Sequence, residues 1–357
     1  MQSKVLGFLW PLVLIGGTVA TLAVAIYFFG QRQNPAVALQ TLWRGAFGSM
    51  ESATETAARA SILIFYALGV VLSFRAGIFN IGTEGQSRIG GIAATAIAVN
   101  AIGRTLSGVP YLSIPLLLLA GAAIGACWSL VAGLLRRWRG VPEVISTLML
   151  NFIALSLARH LLSDPHLLRE ARGVISQSDV IPDGLQLQTW GASQFHTGIL
   201  LVVPALAWAH VYLFHTPGGM ALRATGLNPV AARACGMNVA AIELRTFAIA
   251  GALAGMAGAM GVLVRHRLDA APYPGIDYGF MAIAVALVAD LKPLWVLPSA
   301  LLFAGLEVGT GSMELNAGVS HEVVYLVEGV IILAVLIRHV AGYRAKAAGA
   351  SAAAVAS

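Results

Sequence analysis

Asn80, Glu84 and Gln86 fall within one short segment, Arg75–Gln86 (RAGIFNIGTEGQ), set between two apolar runs. Amides and a carboxylate in such a setting are costly unless they face protein or a water-filled path. Gly77, Gly82 and Gly85 permit backbone turns that other residues resist. Together these residues predict an interrupted helix whose freed backbone groups face a cavity, as broken helices do in transporters. The same residues also read as an inter-helix loop with Glu84 and Arg88 in water. The chemistry on offer is passage of a polar solute rather than covalent catalysis.

A second segment, Val141–Ala154 (VPEVISTLMLNFIA), opens with Pro142 and Glu143. Both suit the first turn of a helix, where a missing N–H is harmless and a negative charge meets the positive end of the dipole. Asn151 follows about two turns into the apolar run, where its amide must find a partner across helices or face the pathway. A third segment, Gly226–Gly236 (GLNPVAARACG), lies in a polar loop. Asn228 is a suitable N-cap, Pro229 a suitable first helical residue and Gly236 a suitable stop. The expected short helix, Pro229 to Ala234, offers the small residues Ala231, Ala232 and Ala234 with Arg233 on its surface. It can seat in a groove of another protein or lie on a membrane face.

Other polar residues carry less. Asp290, Glu307, Glu314 and Glu328 flank or enter the last apolar runs, as pathway residues or as helix-end and loop positions. His160, His266 and His321 are not spaced as metal ligands, and no metal or cofactor is expected. Cys127 and Cys235 read as two unpaired small residues. The sequence contains no G-x-x-x-x-G-K-[ST] segment to cradle nucleotide phosphates and no G-x-S-x-G segment. If ATP drives this chain, another subunit hydrolyses it.

The elements that hold these segments follow from composition. Hydrophobic residues make up 58% of the 357-residue chain and charged residues 11%. Soluble domains average about 25% charged residues, so lipid is the expected solvent. Apolar runs occur at 5–30, 57–74, 89–103, 111–135, 144–162, 198–214, 246–264, 279–289, 294–310 and 323–337. The expected fold is all-α and polytopic, with about ten transmembrane helices, some short or discontinuous, in one domain over 1–343. The first run is longer than a signal-peptide core and reads as an uncleaved anchor. The Ala-rich tail, 344–357, reads as disordered.

Lys and Arg set the orientation. Lys4, the cluster Arg136, Arg137 and Arg139, the cluster Arg223, Arg233 and Arg245, and the cluster Arg338, Arg344 and Lys346 all fall on one side if both termini are cytoplasmic. The loop at about 215–243 is then inside and the loop at about 163–197 outside. Arg169, Arg172, Arg265 and Arg267 land outside, against the trend. The net charge of +6 is distributed at the ends of apolar runs, which argues against nucleic acid as a partner.

The three segments, in this order, resemble those of the permeases of branched-chain amino acid, ribose and nucleoside ABC importers. The likeness spans about 44–337, and its first segment resembles the G-[LI]-F-N-I-G-x-E-G-Q signature of the nucleoside and simple-sugar branch. The resemblance implies a bacterial inner-membrane permease that pairs with a second permease, identical or paralogous, above two ABC ATPase subunits. An extracytoplasmic solute-binding protein would deliver the solute. It implies that Asn80, Gly82, Glu84, Gly85, Gln86 and Asn151 lie near the translocation path. It also implies that Gly226, Asn228, Pro229, Ala231, Ala232, Arg233 and Gly236 couple to the ATPase. Pro142 stands where similar chains have Asn, Ser87-Arg88 where an apolar pair is expected, and Ala289–Lys292 where a glycine-centred turn is expected. A nucleoside is the first expected substrate, with a simple sugar next and a branched-chain amino acid third. The rival reading is an ion-gradient-driven transporter using Glu84, Glu307 or Glu328.

Overall fold

The computed structural model describes residues 34–164, 166–170, 175–190, 195–269 and 278–320, together with 322, 323, 325, 329 and 330. The runs at 5–30 and most of 323–337, Glu328, Arg172 and the tail 344–357 lie outside the described residues. The described residues form α-helices: α1 (Pro35–Phe47), α2 (Met50–Arg75), α3 (Thr83–Val99), α4 (Ala101–Leu106), α5 (Pro110–Arg139) and α6 (Glu143–Leu161). The series continues with α7 (Val202–His215), α8 (Pro217–Leu227), α9 (Pro229–Ala234), α10 (Val239–Arg265), α11 (Tyr278–Val288) and α12 (Val296–Ala317). Among the described residues, short 3-10 helices at Asp183–Leu185, Thr197–Leu201 and Pro293–Trp295 and isolated bridges, but no extended strands, accompany them.

Among the described residues, six stretches are long and apolar enough to cross a membrane: Met50–Arg75, Pro110–Arg139, Glu143–Leu161, Thr197–His215, Val239–Arg265 and Pro293–Ala317. Five of them contain one of the expected apolar runs, and Glu143–Leu161 covers all but the last residue of the run at 144–162. The run at 89–103 is divided between α3, which starts earlier at Thr83, and the short α4. The run at 279–289 is an 11-residue helix, about 16 Å long at 1.5 Å per residue and too short to span. Besides α9, two of the described helices lie where hydropathy marks none. Asn34 caps α1 by accepting from the Ala36 N–H, and Thr216 caps α8 by accepting from the Gly219 N–H, each before a proline at the first helical position.

The described helices fall into two compact units, one of residues 57–303 and one of the described parts of 1–56 and 304–357. In the smaller unit, Gly45 lies against Ser312, Gly305 against Phe47 and Gly309 against Leu42. The Thr56 hydroxyl there donates to the Ala46 carbonyl at 2.8 Å.

In the larger unit, α3, α5 and α10 pack at the distance of touching backbones. Gly255 of α10 is the meeting point, since a Cβ there would overlap the Gly121 carbonyl of α5 and one at Gly90 of α3 would overlap Gly255 itself. Lipid offers no hydrophobic drive between helices, so such small-residue contacts supply the packing. The apolar stretches of α2 and α10 are 78% and 72% buried, against 28% in α5 and 22% in α6, so α2 and α10 are the more enclosed of these helices.

Described residues of the loop before α7 are fastened to the residues that follow α10. Ser178 and Ile181 donate backbone N–H groups to the Leu268 and His266 carbonyls, each at 2.9 Å. Arg267 pairs with Glu170 at 2.5 Å, which gives one of the exceptional arginines a neutralising partner. His196, fully buried, sits beside the Ser61 hydroxyl at 3.3 Å.

Candidate functional site

The break between α2 and α3 is closed by a left-handed glycine. Gly77 has φ +74, and the Gly77 and Ile78 N–H groups return to the Phe74 and Ser73 carbonyls. Seven residues, Ala76–Gly82, are then non-helical before α3 begins at Thr83. Their polar backbone groups turn to side chains of α6. Glu143 accepts from the Phe79 N–H at 3.3 Å and Thr147 from the Ile81 N–H at 3.3 Å. Asn151 accepts from the Gly85 N–H at 2.8 Å and donates to the Ile81 carbonyl at 2.9 Å. Glu143, Thr147 and Asn151 are spaced by four, which places them on one face of the helix. The freed groups are thus satisfied by a polar stripe on α6, and the Asn151 amide has its partners across helices.

The remaining polar residues of the segment interlock. Asn80 Oδ1 accepts from the Gly82 N–H at 2.9 Å and from Gln86 Nε2 at 3.1 Å. Gln86 Nε2 also lies 3.2 Å from Ser129 Oγ on α5. Asn80, Gln86, Thr147 and Ser129 are all buried. Glu84 is engaged at both oxygens, by Arg88 at 3.1 Å and by the Gly279 N–H at 3.0 Å. Glu84 and Arg88 are withdrawn from the surface rather than standing in water, at 17% and 10% exposure. The unexpected pair Ser87-Arg88 is accounted for, with Ser87 bonded to the Tyr66 hydroxyl and Arg88 to Glu84.

The third segment folds as its sequence dictates. Asn228 Oδ1 accepts from the Val230 and Ala231 N–H groups, both at 3.0 Å, and Pro229 opens α9. Gly236, at φ +81, ends it: the Met237 N–H reaches the Ala232 carbonyl and the Gly236 N–H the Arg233 carbonyl. Ala231, Arg233 and Ala234 are exposed, whereas Ala232 is buried and holds the helix to the body. Two apolar side chains stand out beside them, Leu227 at 84% and Val230 at 71% exposure.

The first and third segments meet. A Cβ at Gly226 would overlap the Arg75 carbonyl oxygen, and one at Gly77 would lie 3.2 Å from Gly226 Cα. Arg75 also donates to the Asp290 and Leu291 carbonyls at 3.1 and 3.0 Å. Those two residues have φ +54 and +52, so the turn expected to be glycine-centred keeps its left-handed backbone without glycine.

Several residues of this arrangement were not anticipated from the sequence: Thr147, Ser129, Tyr66 and Gly279. The four-residue spacing from Glu143 through Thr147 to Asn151 is the signal that marks Thr147. Glu307, one of the acidic residues near the last apolar runs, is buried in α12. Among the described residues no group of three His, Cys, Asp or Glu side chains could hold a metal ion.

Residues 52–336 match the family described as the branched-chain amino acid transport system permease component. The chain is 32% identical to the guanosine ABC transporter permease protein NupP of Bacillus subtilis, over 93% of this chain and 94% of that protein. It is 30% identical to the nucleoside ABC transporter permease protein NupB of Lactococcus lactis, over 95% and 93% of the two chains. It is also 34% identical to the glucose ABC transporter permease protein TsgB13 of Haloferax volcanii, over 78% and 74%. No solved structure gives a significant match. With its apolar spans and this match over most of its length, the chain belongs to the branched-chain amino acid transport system permease family and is a multi-pass membrane transport subunit, not an enzyme.

Proposed function

We propose that this chain is the membrane-spanning permease of an ABC importer for nucleosides, with simple sugars as the second substrate class. The observation that carries the coupling part of this reading is α9. It is a capped six-residue helix with Val230, Ala231 and Arg233 exposed; just before it, Leu227 is exposed and Gly226 of α8 rests on the start of the broken segment. Apolar side chains exposed beside a membrane domain suit a groove on a partner ATPase. Gly226, Asn228, Pro229, Ala231, Arg233 and Gly236 form that contact and its frame, and Ala232 anchors it.

ATP binding would close the ATPase pair, push α9 and bias the equilibrium between inward- and outward-facing states. Asn80, Gly82, Glu84, Gly85, Gln86 and Asn151 would form the part of the pathway wall that reorients. The nucleoside assignment is supported by the relatives named for guanosine and nucleosides, and the sugar alternative by the one named for glucose. The reading includes a second permease, identical or paralogous, two ATPase subunits and an extracytoplasmic solute-binding protein. It also takes residues 1–343 as one permease domain of about ten spans in a bacterial inner membrane, with both termini cytoplasmic. The family match, running through 52–336, supports the single domain.

The test is to place bulk or remove charge on α9. In the assembled transporter, Ala231→Trp and Arg233→Ala should lower solute transported per ATP hydrolysed. Full transport per ATP in both variants would remove the coupling assignment.

A further inference from the structure

Arg136 ends α5 between two carboxylates that belong to different segments. Its Nη2 lies 3.2 Å from Glu243 Oε1, on the first turns of α10, just beyond the coupling segment. Its Nη1 lies 2.7 Å from Glu143 Oε1, the same oxygen that accepts the Phe79 N–H of the broken segment. Exposures of 28% for Arg136, 15% for Glu143 and 21% for Glu243 set these apart from ion pairs standing free in water. A planar guanidinium with both terminal nitrogens engaged has one favoured orientation, so it can act as a spacer of fixed length.

We propose that Arg136 is a positioning residue for energy coupling, carrying displacement of the coupling segment to the Ala76–Gly82 break through Glu243 and Glu143. This rests on the ATPase-coupling reading of α9. Residues 235–238 join α9 to α10, and Asn238 caps α10 by accepting from the Ala241 N–H at 3.1 Å. A push on α9 therefore moves the end of α10 that carries Glu243. Arg136 must follow Glu243 or release it, and Glu143 passes the change to Phe79. The contact of Gly226 with Arg75 is a separate, uncharged route to the same break, which makes the charged one testable by charge alone.

Continuity in space does not establish coupling, whereas a double-mutant cycle measures it. The assembled transporter, with its ATPase and binding protein, is reconstituted in liposomes and solute transported per ATP is measured for Arg136→Gln, Glu243→Gln and the double variant. Each single substitution is expected to lower that ratio by roughly fivefold or more, and the double should be no worse than the worse single. An unchanged ratio in Arg136→Gln, or single effects that multiply in the double variant, would overturn the proposal. If Arg136→Gln does not assemble, Glu143→Gln serves instead, because its amide oxygen still accepts from Phe79 while its charge is gone. The same fall is expected there, and an unchanged ratio again overturns the proposal. Ala231→Trp is run alongside. If it too leaves coupling intact, the α9 reading fails; if it alone uncouples, only the role of Arg136 fails.

Discussion

Gly226 rests directly on the carbonyl of Arg75, so the segment that leads into α9 and the segment that breaks after α2 touch backbone to backbone. No side chain intervenes, and none could without moving one of the two chains. Gly226→Ala is therefore expected to destabilise the permease by about 1–3 kcal/mol, the range for overpacking, and to reduce transport. Gly311→Ala is the control, since nothing lies within 4 Å of a Cβ built there. It should leave stability unchanged or raise it by up to about 1 kcal/mol, the helix-propensity gain of Ala over Gly. Thermal unfolding in detergent compares the two, and equal effects would contradict the close contact.

Asn151 satisfies one N–H and one carbonyl of the broken segment with a single amide. Asn151→Leu leaves both without that partner, each at a cost of about 1–3 kcal/mol when buried. Ser146, on the same helix, bonds only the Pro142 and Glu143 carbonyls of its own first turn. Ser146→Ala should shift the unfolding midpoint little, and Asn151→Leu should shift it clearly downward. A midpoint for Asn151→Leu equal to wild type would show that the amide ladder does not hold the break.

Asn228→Ala removes the side chain that accepts from two N–H groups of α9. The cap is worth about 1 kcal/mol, a large share of what orders a six-residue helix. Faster hydrogen exchange at Val230 and Ala231, with the spans unchanged, is the expected signature. Transport per ATP should fall with it. Protection equal to wild type would mean that tertiary contacts at Ala232 suffice to hold the helix.

The segment 163–197 should loosen in acid. Burial pushes the His196 imidazole down to about 4, against an ordinary value of 6.5. The folded state keeps it neutral, so its stabilising effect is complete above pH 6.5 and is lost as pH falls from there to about 4. The Arg267 hydrogen bond, opposed in part by desolvation, holds the Glu170 carboxylate below its ordinary 4.5. That contribution is present above 4.5 and is lost at lower pH. Limited proteolysis of the segment between pH 7 and 4 should show rising cleavage, with the upper part of the rise absent in His196→Gln. An identical profile in that variant would contradict the assignment to His196.

How much of this was legible in the sequence depends on how local each signal is. The ends of α9 were readable to the residue, because an Asn cap, a first-position Pro and a closing Gly act within one turn. The long apolar runs were readable because lipid imposes a length. The destination of the freed backbone groups was not, since it requires knowing that α6 packs beside the break. Asn151 showed that a partner was needed without saying which. The helix α8 was hidden by its polar setting, although Thr216 and Pro217 mark its start. Arg136 looked like one of a loop cluster, and only the fold brings Glu143 and Glu243 to it from 7 and 107 residues away.

The most direct test of the account is uptake of radiolabelled nucleoside by liposomes holding this chain with its partner permease and ATPase subunits. ATP is supplied on the ATPase side and the solute-binding protein on the other. Uptake should require both ATP and the binding protein, and should fail when either is withheld. Uptake by this chain alone, driven by an ion gradient without ATP, would contradict it and would turn attention to Glu84 and Glu307.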